Sequence, residues 1–219
     1  MVETRTLVTA DGVRLEAEHA AAQGTVRAGA VLCHPHPQYG GSMRSIVIGA
    51  LFDALPKAGV STLRFNFRGV EGSDGTYDGG NLERVDVEAA IGDLAPLLPD
   101  GAPLVLVGWS FGADMALSVR DPRVSAWVAI APPLRFVHDL TGLEDDTRPK
   151  LLVLGQHDEF RPPAEVEAVG ARWANTEAHV VGGASHFFVG RTDRLVDLTL
   201  GFFERLATAR GAGASRPPV

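Results

Sequence analysis

The chain has 219 residues, 45% of them hydrophobic and 21% charged, with a formal net charge of −7. That length supports one substantial core, the apolar fraction excludes a disordered chain, and the acidic balance argues against an electrostatic grip on nucleic-acid phosphates or anionic membrane. Cys33 is the only cysteine, which rules out an intrachain disulfide and a four-thiolate zinc site.

Met1 to Arg14 lacks a basic start followed by an apolar run, and no segment offers about 20 apolar residues, so a cytoplasmic protein that does not enter the membrane is expected. Thr4 to Thr9 and Val13 to His19 have strand character and are joined by Asp11-Gly12, a hairpin-turn dipeptide. Ala28 to Cys33 is a short apolar run, followed by a periodic stretch from Met43 to Ala58 that predicts a helix. The same unit recurs as a strand over Ser61 to Phe67 with a helix over Leu82 to Leu98, whose start carries Glu83, Asp86 and Glu88. It recurs again as Leu104 to Trp109 with a helix from Phe111 to Arg120.

Ser125 to Ala131 and Lys150 to Gly155 are apolar runs short enough for buried strands, a helix begins near Pro163, Val180-Val181 marks a last strand, and Leu195 to Ala207 makes a closing helix. Strands alternating with helices of this length imply parallel pairing through crossovers, hence an α/β architecture with an antiparallel start and helices on both faces. No fixed-period repeat or internal linker divides the chain, so residues 1–210 are expected to form a single domain and 211–219 a flexible tail.

Chemistry concentrates first at Gly108-Trp109-Ser110-Phe111-Gly112, a G-x-S-x-G sequence placed after an apolar strand and before a helix. A tight strand-to-helix turn needs small residues beside a nucleophile, and the helix that follows aims N–H groups and a positive dipole end at it. A serine hydroxyl is a poor nucleophile until a base takes its proton. His186, in Gly182-Gly183-Ala184-Ser185-His186 after the last strand, meets that demand better than His138, His157 or His179, which read as structural or surface residues. The acid that orients the base is expected between the two in chain order, and Asp158 stands on the loop after Lys150 to Gly155. Adjacent Glu159 is its rival, and an ordinary capping role near Pro163 is the bland alternative for Asp158.

These three loops together resemble the α/β-hydrolase superfamily over nearly the whole chain, from the Asp11-Gly12 hairpin to the closing helix. Within it, Cys33-His34-Pro35-His36-Pro37-Gln38-Tyr39-Gly40-Gly41-Ser42-Met43 and Arg64-Phe65-Asn66-Phe67-Arg68-Gly69 resemble a branch of small hydrolases related to dienelactone hydrolases. The resemblance implies an α/β-hydrolase fold with a mostly parallel central sheet and no large cap domain. It also implies an oxyanion hole built from the amide after the nucleophile, Phe111, and an amide of the first loop. Pro35 and Pro37 have no N–H to give, so His36 is the choice there, with Gln38 and Tyr39 as rivals.

His34 and His36 form a His-x-His pair that on a regular strand would share one face, but no carboxylate accompanies them and the prolines spoil strand geometry; no metal is expected. Arg68-Gly69-Val70-Glu71-Gly72-Ser73 resembles the superfamily's R-G-x-G-x-S turn with Glu71 in place of the second glycine. Glu71 reads as a solvated loop carboxylate rather than a pocket residue. No lysine or dinucleotide spacing accompanies these glycines, which excludes a phosphate loop.

The activity so implied is a serine hydrolase, carboxylesterase-like, that cleaves a small ester through an acyl-enzyme without a cofactor. Thioesters follow the same route, and amide or carbon–carbon bond hydrolysis are further alternatives. A non-catalytic scaffold is the contrasting class, but a scaffold has no need of Ser110, Asp158 and His186 on three suitable loops. The expected partner is a small-molecule ester or thioester, in a cleft lined by Tyr39, Trp109, Phe136, Phe160 and Phe187, with His138 nearby.

Overall fold

The structure is a computed structural model and describes residues 1–137, 139 and 141–214, with side chains through residue 208. The strands are β1 (Val2–Val8), β2 (Arg14–Ala20), β3 (Ala28–Cys33), β4 (Val60–Phe65), β5 (Leu104–Trp109), β6 (Val124–Ile130), β7 (Lys150–Gly155) and β8 (Thr176–Val181). The helices are α1 (Ile46–Ala54), α2 (Glu83–Leu94), α3 (Phe111–Ser118), α4 (Thr141–Asp145), α5 (Pro163–Gly170) and α6 (Thr192–Ala214).

All eight strands form one sheet in the order β1-β2-β4-β3-β5-β6-β7-β8. The Asp11-Gly12 hairpin pairs β1 with β2, β2 then runs antiparallel to β4, and every later pairing is parallel. The central strands β3 and β5 are buried along their whole length, as apolar parallel strands covered on both faces must be. Val87 and Ile91 of α2, Ala113 and Leu117 of α3 and Val166 of α5 fill one face. Val47, Ile48 and Leu51 of α1 with Leu195, Phe202 and Phe203 of α6 fill the other.

Several expected bounds are corrected. The helix expected from Met43 starts at Ile46, because the Met43 N–H is taken by Asn66 Oδ1 at 2.8 Å and Ser42–Ser45 forms a turn. The stretches expected to continue to Ala58 and Leu98 tighten into 3₁₀ turns at Leu55–Ala58 and Ala95–Leu97, each with a proline (Pro56, Pro96) that lacks the N–H an α-helix needs. The strand expected to reach Phe67 ends at Phe65, and the helix expected to reach Arg120 ends at Ser118. The last strand begins at Thr176, and α6 runs to Ala214, past the start of the expected tail; residues 215–219 lie outside the described residues.

Among the described residues, the segment between β6 and β7 holds one short helix, α4, and no cap domain covers the sheet. No helix of the described residues is long and apolar enough to cross a membrane.

Candidate active site

The loops after β3, β5, β6, β7 and β8 all leave the sheet at its carboxyl edge, where open α/β sheets build their sites. Ser110 is the residue between β5 and α3, with its N–H donated to Ile130 O at 2.8 Å and φ 55, ψ −122. That conformation is strained for a residue with a side chain, and it lifts the hydroxyl clear of the turn. The flanking glycines are required by contact: a Cβ at Gly108 would collide with the Gly112 carbonyl, and one at Gly112 with the carbonyls of Cys33 and His34. Backbone cannot yield there, so Gly112→Ala is expected to destabilise the fold by about 3 kcal/mol. A urea melt checks this, and an unshifted midpoint would refute the steric reading.

The loops after β7 and β8 are laced together by Gln156 N–H to Val181 O at 3.1 Å, His157 N–H to Ala184 O at 2.8 Å, and Gly183 N–H to Gln156 Oε1 at 2.8 Å. This pairing brings Asp158 to His186, with Asp158 Oδ2 at 2.8 Å from His186 Nδ1. His186 Nε2 lies 2.9 Å from Ser110 Oγ. A carboxylate only accepts, so Nδ1 carries the ring hydrogen and the lone pair of Nε2 faces the serine hydroxyl. The imidazole is buried, and the loop holding it is fixed from two sides: Trp109 Nε1–H donates to His186 O at 3.1 Å, and the His186 N–H donates to Glu159 Oε2 at 3.3 Å. Glu159 therefore meets the backbone of His186 and not its ring.

In the first loop, the Gln38 N–H is donated to His36 Nδ1 at 3.2 Å and the Tyr39 N–H to His36 O at 3.1 Å. Both rivals to His36 are thus committed inside the loop, whereas the N–H groups of His36 and Phe111 have no partner among the described residues. His34 is fully buried; its Nδ1–H donates to Pro35 O at 2.6 Å and its Nε2 accepts the Phe67 N–H at 3.0 Å. Burial pushes its pKa down to about 3, so it is a neutral brace between the two loops. His36 is also shifted down by burial, and its ring packs among Tyr39, Tyr77 and Phe111. Among the described residues no group of three or more metal-ligating side chains is assembled.

A cleft of about 710 Å³ opens over Ser110 and His186. Tyr39, Trp109, Phe136, Phe160 and Phe187 all line it, together with Arg135. Phe160 and Phe187 are 50% and 44% exposed, while neighbouring Phe188 is buried in the core. Trp109 is only 4% exposed and acts as floor as well as brace. Glu71 does not line the cleft; it is exposed and bonded to Arg44 at 2.7 Å and Asn66 at 2.9 Å. It has φ 47, the left-handed region that explains why related turns use glycine there. His157 is exposed, His179 faces Glu177 at 3.5 Å, and His138 lies outside the described residues.

Three carboxylates, Glu83, Asp86 and Asp114, are fully buried; the sequence reading placed the first two only as acids at the start of a helix and did not single out the third. Asp86 holds Arg68 at 2.6 Å, and Asp114 on α3 accepts three successive N–H groups from residues 134–136. The signal for Asp114 was its place as the lone acid on an otherwise apolar helix, since a charge there must find partners.

No family model matches the chain. It is 33% identical over 190 residues to an uncharacterized protein of Rickettsia prowazekii, covering 82% of this chain and 80% of that one. Among solved structures it resembles an α/β serine hydrolase homologue from Coxiella burnetii, 33% identical with a TM-score of 0.80 over 90% of this chain and 95% of that one. It also resembles an α/β serine hydrolase without a lid from Xanthomonas campestris, 27% identical with a TM-score of 0.82 over 93% and 94% of the two chains. With its sheet order and these relatives, the chain belongs to the α/β-hydrolase superfamily, as a hydrolase without a large cap domain.

Proposed function

We propose that this hydrolase is a carboxylesterase-like serine hydrolase that cleaves small esters through an acyl-enzyme on Ser110. The observation that carries the reading is the continuous chain from Ser110 Oγ to His186 Nε2 at 2.9 Å and from His186 Nδ1 to Asp158 Oδ2 at 2.8 Å. His186 takes the hydroxyl proton as Ser110 attacks the carbonyl carbon, and Asp158 stabilises the imidazolium that results. The oxygen that gains charge is received by the N–H groups of Phe111 and His36, two residues that line the cleft beside Ser110. His186 then protonates the leaving alcohol, and water, activated by the same base, releases the acid. A fluorophosphonate should form a covalent adduct at Ser110, read by peptide mass spectrometry. Absence of that adduct from folded protein defeats the proposal.

Substrate size follows from the missing cap and the open aromatic cleft. Hydrolysis of p-nitrophenyl esters should be fastest for short acyl chains and show no jump in rate above the solubility limit, because no large lid waits for an interface to open it. A long-chain preference with interfacial activation would replace this with a lipase-like reading.

A further inference from the structure

Asp114 lies four positions after Ser110 on α3 and is completely buried. Its Oδ1 accepts the Leu134 N–H at 3.0 Å, and its Oδ2 accepts the N–H groups of Arg135 at 2.8 Å and Phe136 at 3.0 Å. Leu134 has φ 53, a left-handed conformation that a side-chain-bearing residue keeps only where its surroundings over-determine it. From the opposite side, Arg161 donates its guanidinium N–H to Pro133 O at 2.7 Å, while its backbone N–H is donated to Asp158 Oδ1 at 3.1 Å. Four consecutive residues, 133–136, are therefore suspended between α3, the helix that follows Ser110, and the loop that carries Asp158. Pro133, Arg135 and Phe136 of that strap form one wall of the cleft.

Holding a carboxylate there is costly. Burial pushes the Asp114 carboxyl up to about 6, even though the three N–H bonds and the Arg161 cation act to lower it. An apolar side chain of similar volume would fill the space with less desolvation, but it would leave three backbone donors unpaired and the wall untied. The feature that only the carboxylate supplies is a fixed backbone for the wall.

Building on the esterase reading above, we propose that Asp114 is a positioning residue for the substrate: it sets the cleft wall 133–136 against Ser110 without touching the reacting atoms. The reacting chain keeps its own bonds when Asp114 is altered, because Asp158 is also held by the Phe160 N–H at 2.9 Å. The change therefore falls on binding more than on chemistry.

The test compares Asp114→Asn, Arg161→Met and Asp86→Asn in the full chain with a short p-nitrophenyl ester. Asp114→Asn should raise KM about tenfold while kcat stays within about threefold, because the wall contacts ground state and transition state alike. Arg161→Met, which frees the other end of the strap, should shift KM the same way by about threefold, and it keeps the proposal open to refutation if Asp114→Asn does not fold. Asp86→Asn removes a buried carboxylate that pairs with Arg68 and does not line the cleft, so it should lower thermal stability with KM unchanged. An unchanged KM in the strap variants, or an equal rise in Asp86→Asn, overturns the inference. Wild-type protein that neither labels at Ser110 nor hydrolyses esters overturns the esterase reading, and this inference with it.

Discussion

Ser110→Ala should leave a folded protein whose ester turnover is lower by about five orders of magnitude. The fold is kept because the residue's structural work is done by its backbone. Its N–H is bonded to Ile130 O, and its φ of 55 is no harder for alanine than for serine. The side chain is half-buried at the cleft floor and belongs to neither core cluster, so its removal opens no cavity in the core. What disappears is, among the described residues, the only oxygen in bonding distance of His186 Nε2 that can attack a carbonyl. The proposed oxyanion donors, the N–H groups of Phe111 and His36, remain, which should leave a residual rate over water of about 10³-fold. Initial rates at saturating short-chain ester, with circular dichroism to confirm folding, give the comparison. Turnover within tenfold of wild type would remove Ser110 from the mechanism.

The sequence made the central strands legible because their burial is written into composition. Ala28–Cys33, Leu104–Trp109 and Lys150–Gly155 are apolar runs set off by glycine, proline or polar turns, and their observed bounds coincide with those runs. The loops of Ser110 and Asp158 were legible for a related reason: each follows such a strand and reaches the same edge of the sheet, whereas the His186 loop follows β8, a partly exposed edge strand marked in the sequence only at Val180-Val181. Helix ends were less visible. Met43 joins the Asn66 side chain across 23 positions of sequence, a contact that local periodicity cannot report.

Long-range polar contacts explain the rest of what sequence did not disclose. Periodicity marks Asp114 only as a polar interruption of an apolar helix, since its partners, the N–H groups of 134–136, lie 20 to 22 positions away. His34 was set aside as a metal ligand on sequence, but its partner could not be named there. Its ring spans to the Phe67 N–H, a bond that requires β3 and β4 to be neighbours, and the pairing of those strands is known only once the sheet order is. Glu71 was read correctly as a surface carboxylate, but its left-handed backbone is a property of the turn and leaves no mark on its neighbours.

Asp158→Asn should lower kcat by about 10³ to 10⁴ with little change in KM, through the tautomer of His186. Two donors, the N–H groups of Phe160 and Arg161, point at Oδ1 of Asp158, and the third, His186 Nδ1–H, meets Oδ2. An asparagine must choose which of these sides receives its oxygen. Turning its NH₂ toward two backbone donors is repulsive twice, whereas turning it toward His186 meets one ring nitrogen that can lose its hydrogen. The oxygen therefore stays with Phe160 and Arg161, and the NH₂ donates to Nδ1. The ring hydrogen moves to Nε2, which then presents a donor to Ser110 where a base is needed. Glu159→Gln has no such consequence. Glu159 meets His186 only through its backbone N–H at 3.3 Å, and glutamine keeps an acceptor oxygen for that bond, so its rates should stay within about threefold of wild type. Both variants, measured with the same ester, separate the two carboxylates. A crippled Glu159→Gln beside a near-normal Asp158→Asn would move the orienting acid from Asp158 to Glu159 and with it the geometry on which the proposed mechanism stands.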